Sequence, residues 1–251
     1  MKISVLASGS KGNVTYIEHN NTKILIDLGM NKKYVENKLK ELGINPNDIN
    51  AILISHTHSD HIKGLKSFIK AYRTNLYITE KMMENLKDSI IDDNVFYLEE
   101  KNKIDDLTID IIKTSHDIND SIGFIINDEI VYITDTGYLN EKYYPILENK
   151  KAYLFESNHD IEMLMKGKYP YHVRQRIWGS NGHLSNEDSS YYLSKLVGNN
   201  TKVITLCHLS EENNTEKKAK ECLIETLNKN SKNIEKIIVA KQDEMTELIE
   251  V

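Results

Sequence analysis

The stretch Ala51-Ile52-Leu53-Ile54-Ser55-His56-Thr57-His58-Ser59-Asp60-His61 limits the possibilities for this chain more than any other. An apolar run, preceded by the turn-forming Pro46-Asn47-Asp48, reads as a buried strand ending at Ser55. It empties into His56, His58, Asp60 and His61. In extended backbone, residues two apart point the same way, so the imidazoles of His56 and His58 can converge on one point. Asp60 and His61 stand where Ile62, Leu65, Phe68 and Ile69 begin a helical periodicity. The loop therefore aims nitrogen and oxygen donors into one pocket. Imidazole with carboxylate suits zinc, manganese or iron, and so many donors in one tight loop can serve more than one ion. The bland alternative is a polar loop that happens to hold histidines.

The rest of the chain alternates strands and helices around this loop. Residues 2–7, 14–18 and 23–27 read as three early strands with a hairpin at Asn20-Asn21, the third closing at Asp27. Between the first two, Ser8-Gly9-Ser10-Lys11-Gly12-Asn13 has two equal readings, a plain turn or a loop offering backbone N–H groups to an anion, with Ser8 and Asn13 as candidate substrate contacts. Tyr34, Lys38, Leu39 and Leu42 predict a helix ended by Gly43. Further strands are expected at 76–79, 107–115, 122–126, 130–133, 152–155, 203–207, 236–240 and 246–249. Helices are expected from Glu80, around Met163 and Leu164, after Ser185 or Asn186 as N-cap, and over 214–227. His116, Asp135 and His208 follow the ends of such strands, as ligand-bearing residues in α/β sheets do.

Composition narrows the classes. Three prolines and the lack of a Gly/Ser linker or low-complexity tract favour one continuous domain over 1–251. Two cysteines are too few for a disulfide framework, and no signal-peptide core follows Met1-Lys2, so a cytoplasmic protein is expected. No apolar run reaches membrane-spanning length, so no membrane partner is expected, and no obligatory protein partner is evident. A formal net charge of −6 excludes a chain coated in basic surface. Any nucleic acid must be met locally, and the best local patch is Tyr169, Arg174 and Arg176 with Lys166 and Lys168.

Taken in order, Asp27, His56, His58, Asp60, His61, His116, Asp135 and His208 resemble the residue set of the metallo-β-lactamase fold superfamily, and the resemblance covers nearly the whole chain. Within it, Ala7-Ser8-Gly9-Ser10, Thr134-Asp135-Thr136-Gly137-Tyr138, Glu156-Ser157-Asn158-His159-Asp160, Gly182-His183-Leu184-Ser185-Asn186 and His208-Leu209-Ser210-Glu211-Glu212-Asn213-Asn214 are similar to the YycJ/WalJ-type branch. The resemblance implies an α/β (α+β) fold, a four-layer αββα sandwich of two mixed β-sheets flanked by helices. It implies two divalent metal ions, zinc or manganese. His56, His58 and His116 would hold one, Asp60, His61 and His208 the other, with Asp135 bridging and Asp27 bracing a ligand from behind. It further implies a cytoplasmic phosphodiesterase acting on DNA as a 5′ to 3′ exonuclease. The flanking Ser55 and Thr57 depart from many relatives at positions that are not ligands.

The chemistry agrees with a phosphodiesterase: two ions about 3.5–4 Å apart can hold phosphodiester oxygens while hydroxide attacks in line. Asp60 would orient the attacking hydroxide. His183 resembles the non-ligand histidine that nuclease members use at the scissile phosphate, against the plainer reading of a helix-start histidine. His159 is equally readable as a phosphate contact or as a satisfied buried histidine. Cys207 alternates with His208 along its strand and is expected in the core. Two other functions remain in view: a small-molecule hydrolase of the thioesterase or lactonase kind on the same scaffold, and a metal-binding regulatory protein.

Overall fold

The computed structural model describes residues 1–87 and 94–251. The chain divides into two compact units, Met1–Ile111 with Ile118–Asp120 and Lys241–Val251, and Ile112–Asp117 with Ser121–Ala240.

The first unit is built on a mixed sheet. Its strands are β1 (Lys2–Ala7), β2 (Val14–His19), β3 (Thr22–Ile26), β4 (Ala51–Leu53), β5 (Asn75–Ile78) and β6 (Val95–Tyr97), in that spatial order, with the last strand of the chain, Ile249–Glu250, beside β1. β1, β2 and β3 pair antiparallel; β3 to β6 run parallel. The β2–β3 turn places Asn20 at φ 50°, a left-handed conformation that asparagine tolerates. Parallel strands need crossovers, and these are helical: α1 (Lys32–Glu41), α2 (Ser59–Ile62), α3 (Leu65–Tyr72) and α4 (Glu80–Leu86). β4 is buried along its whole length, which accounts for its unbroken apolar sequence. Asn31 caps α1 through Tyr34 N–H, and Gly43, at φ 75°, follows its end as expected. A hairpin of β7 (Lys101–Ile104) with the start of β8 (Leu107–Lys113) completes the unit.

β8 carries the chain into the second unit. There β9 (Ile122–Ile126) pairs antiparallel with β10 (Ile130–Ile133), followed in parallel by β11 (Ala152–Glu156), β12 (Val203–Cys207) and β13 (Lys236–Val239). The helices are α5 (Tyr144–Leu147), α6 (Ile161–Lys166), α7 (Tyr171–Trp178), α8 (Asn186–Leu196) and α9 (Glu216–Lys229). Tyr153, Phe155, Ile204 and Leu206 of the sheet pack with Leu193, Leu196, Leu223 and Leu227 of α8 and α9 in one buried cluster. Truncating any of these leucines to alanine would cost about 2–5 kcal/mol. Ser185 is the N-cap of α8, accepting from Asp188 N–H.

Some expectations differ in detail. β4 stops at Leu53, so Ile54 and Ser55 already belong to the loop. β6, β7 and α7 carry no clear apolar period, and the sequence reading passes them by. The strand expected at 246–249 is confined to Ile249–Glu250, because Thr246 instead uses its side chain, accepting from Val5 N–H while its carbonyl takes the Ser4 hydroxyl. Among the described residues, no helix is long and apolar enough to cross a membrane.

Candidate metal centre

In the first unit, the donors come from the loop after β4 and are braced from behind by Asp27, one residue past β3. Asp27 is fully buried at φ 60°. Its Oδ1 accepts from Ser55 N–H at 2.8 Å and its Oδ2 from the Ser55 hydroxyl at 2.8 Å. Oδ2 also meets His61 Nδ1 at 2.8 Å. A carboxylate on Nδ1 holds the proton there, making Nε2 the basic nitrogen, which is how second-layer carboxylates prepare imidazole for a metal. Asp60 Oδ2 lies 3.5 Å from that Nε2. The His56 ring centroid is 4.9 Å from that of His58 and 4.0 Å from that of His61. His58 is the N-cap residue of α2, so the helix start fixes its backbone.

Backbone contacts lock this loop against residues 13 and 28–30. Asn13 N–H donates to Asp60 O at 2.8 Å, Leu28 N–H to His61 O at 2.7 Å and Gly64 N–H to Leu28 O at 2.8 Å. The approach leaves no room for side chains: a Cβ on Gly29 would fall 1.7 Å from Asp60 O, and one on Gly64 2.0 Å from Met30 O. Asn13 is the peg of the Ser8–Asn13 loop. Its Oδ1 accepts from Gly9 N–H at 2.9 Å and the Ser8 hydroxyl at 3.3 Å, and its Nδ2 reaches His61 Nε2 at 3.1 Å. Ser8 and Asn13 are both buried.

The second unit carries donors of its own at its strand ends. His116 Nδ1 donates to Gly182 O at 3.1 Å, again leaving Nε2 as the basic nitrogen, and burial lowers its pKa. Asp135 follows β10 at φ 49° and His208 follows β12 at φ 56°, each almost wholly buried. Asp135 Oδ1 is 3.3 Å from His208 Nδ1 and 3.6 Å from His183 Nδ1. Ligand atoms of Asp135, Glu156, His183 and His208 lie within 4.8 Å of one another. This donor set of imidazoles and carboxylates, with tautomers set by carboxylates and a carbonyl, fits a divalent metal ion. Cys207 is buried, as expected of a core residue.

Glu156, the last residue of β11, is the functional residue that sequence reasoning named only inside a motif. It is completely buried. Its Oε1 takes Nδ1–H of His183 at 2.7 Å and of His208 at 3.1 Å. Its Oε2 takes the N–H groups of Thr136 at 2.9 Å and Leu184 at 3.1 Å. Burial alone would raise its pKa, but His183 beside it and the hydrogen bonds from both histidines bring it down to about 2. Its place at the carboxyl end of β11, at the same sheet edge that Asp135 and His208 follow, was the available signal.

The later sequence motifs converge on a polar network. Ser157 Oγ donates to Asn186 Oδ1 at 2.7 Å, Asn186 Nδ2 to Asn214 Oδ1 at 2.9 Å and Asn214 Nδ2 to the carbonyls of Ser157 and Asn158. Asn158 Nδ2 donates to His208 O at 2.9 Å. His159 is fully buried, neither ring nitrogen has a hydrogen-bond partner among the described residues, and burial draws its pKa down to about 4. Arg174 donates to Met165 O and Arg176 to Asp117, so the two arginines do not share a partner.

Comparison with known proteins agrees with this geometry. The family model described as "Anti-Pycsar protein Apyc1" matches residues 7–178. The chain is 38% identical over 236 residues to the exodeoxyribonuclease WalJ of Streptococcus pneumoniae, covering 90% of this chain and 88% of that protein. It is 36% identical over 228 residues to the exodeoxyribonuclease YycJ of Bacillus anthracis, covering 88% and 86%. Among solved structures, the metallo-β-lactamase fold protein YhfI from Bacillus subtilis superposes with a TM-score of 0.74 over 98% of this chain and 99% of that one, at 14% identity. Two mixed sheets flanked by helices are the metallo-β-lactamase fold, and within that fold the chain belongs to the family of the WalJ and YycJ exodeoxyribonucleases.

Proposed function

We propose that this protein is a metal-dependent exodeoxyribonuclease, a phosphodiesterase working in the cytoplasm from a 5′ end. The observation that carries the reading beyond metal binding is the Glu156–His183 pair. The His183 side chain is 19% exposed, whereas those of Asp135 and His208 are 2% and 3% exposed. His183 is thus an accessible histidine with a buried carboxylate behind it at 2.7 Å.

His56, His58 and His116 are assigned to one divalent ion and Asp60, His61 and His208 to another, with Asp135 shared, zinc and manganese being the candidates. When bound, such ions supply Lewis acidity toward the phosphodiester oxygens and make a nucleophile available at neutral pH. Asp60 orients the attacking water. Glu156 fixes the His183 ring through Nδ1. Nε2 of His183 then delivers the proton to the departing oxygen, as a general acid. Arg174 and Arg176 are assigned to backbone phosphates. Ser8, Asn13 and His159, all buried, are assigned to positioning, Asn13 through its contact with Nε2 of His61.

The test is digestion of end-labelled single- and double-stranded DNA and RNA with zinc or manganese, beside the Asp60→Ala, His61→Ala double variant and His183→Ala. Wild type should shorten DNA from its 5′ end and the double variant should not. A wild type that leaves every nucleic acid intact while cleaving a thioester or lactone would refute the proposal.

A further inference from the structure

The segment from Met163 to Asn186 contains no acidic residue, in a chain where Asp and Glu outnumber Lys and Arg 38 to 32. It does contain Lys166, Lys168, Arg174 and Arg176, with Tyr169, Tyr171 and Trp178, the single tryptophan of the protein. Within it α7 has no buried residue at all. Tyr171 and Trp178 are 67% and 54% exposed. Large aromatic side chains contribute little to folding when left in water, so burial does not account for this helix.

What holds α7 is its C-terminal continuation, and that continuation leads to the candidate centre. His183 N–H donates to Ile177 O at 2.8 Å and Gly182 N–H to Gly179 O at 2.8 Å. The Ser115 hydroxyl bonds Asn181 Oδ1 at 2.9 Å, and Gly182 O takes the His116 ring at 3.1 Å. A Cβ on Gly137 would stand 2.2 Å from Ser180 O, so the loop bearing Tyr138, itself 43% exposed, lies directly against the same turn. On the helix, Gln175 Nε2 fixes the Tyr171 hydroxyl at 2.7 Å. Asp117 holds Arg176 by Nε, while the Arg176 side chain stays 65% exposed.

We propose that α7, with Tyr138, is a stacking platform for the single-stranded end of the nucleic acid, bases lying on Tyr171 and Trp178 and phosphates meeting Arg176, Lys166 and Lys168. This rests on the nuclease reading and specifies how its substrate is led in. Exposed rings beside cations suit unpaired bases, because each base offers a π-face whatever its sequence. A second copy of this chain fits less well, since a two-fold contact through this face would set cation against cation.

The single tryptophan makes the test direct. A phosphorothioate oligodeoxythymidylate, which resists cleavage, is titrated into the full-length protein with its divalent ion while Trp178 emission is followed. Emission should quench to saturation, and binding should weaken roughly tenfold in Tyr171→Ala. Arg176→Ala should lower the slope of log affinity against log salt by about one. Equal quenching by a blunt duplex, or an emission change that follows protein concentration without oligonucleotide, overturns the platform. A protein that quenches with the strand yet degrades no nucleic acid loses the nuclease reading alone. A protein that digests DNA while its emission does not respond, and whose Trp178→Leu variant keeps the wild-type KM for single strands, loses the platform alone.

Discussion

The His159 ring should make the native state lose stability as the pH falls from about 6.5 towards about 4. The ring is fully buried and neither nitrogen has a hydrogen-bond partner among the described residues, so burial favours its neutral form and draws its pKa from 6.5 to about 4. Below pH 6.5 the unfolded chain takes up a proton at this position and the native chain does not. The unfolded state then binds more protons, stability rises with pH, and acidification weakens the fold until the native ring also protonates near pH 4. At about 1.4 kcal/mol per unit, the interval is worth roughly 3 kcal/mol, a large part of the 5–15 kcal/mol that ordinarily separates native from unfolded chains. His159→Leu removes the titration and the two unpartnered nitrogens while keeping most of the volume. Urea unfolding of both proteins, followed by circular dichroism in the presence of a chelator at steps from pH 7.5 to 4.5, gives the difference directly. The variant should gain on wild type as pH falls. A difference that stays flat to within about 0.5 kcal/mol would refute the reasoning.

Three further substitutions probe other parts of the structure. Glu156→Gln cannot accept at both ends, so either the two histidines or the Thr136 and Leu184 N–H groups face an amide NH2; at about 1–3 kcal/mol per buried group, calorimetry should show Tm lower by roughly 6–12 °C, and an unchanged Tm would dismiss the network. Asp27→Asn should weaken metal binding 10–100-fold by loosening the His61 tautomer, measured by competition with a chromophoric chelator; undiminished affinity would make Asp27 a purely structural residue. Asp160→Ala removes the α6 N-cap and the Lys218 partner, costing about 1 kcal/mol at pH 7. Burial raises the Asp160 pKa, but Met163 N–H and Lys218 more than offset it, so the carboxylate contributes above its unfolded pKa and the gap from wild type should close as pH falls through the lowered value.

Much of the fold was readable because burial writes itself into sequence. β1, β9, β10 and β12 coincide with their apolar runs, and each is buried along most or all of its length. β6 and β7 are mostly exposed and α7 buries nothing, so no periodicity was available to reveal them. Where chain geometry rather than burial decides, local chemistry did the work: Gly43 past α1 and Ser185 before α8 are positions at which few other residues would serve.

The candidate centre divides along the same line. His56, His58, Asp60 and His61 are close in the chain, and two-residue spacing with a helix start was enough to bring them together. His116, Asp135 and His208 each follow a strand, so the shared edge of one sheet explains why they meet. Glu156 ends its strand at that edge but cannot be told from any strand-end carboxylate until His183 and His208 are seen to turn their Nδ1 atoms toward it. The Asn158, Asn186 and Asn214 side chains are a harder case, because each looks like an ordinary loop or cap asparagine in its own segment. Their meaning is only tertiary: they close three segments onto one another, and those segments follow Glu156 and carry His183 and His208. A ligand can be recognised from its own chemistry, whereas a residue that holds the ligand still is defined by its partner, and partners distant in sequence are what folding alone supplies.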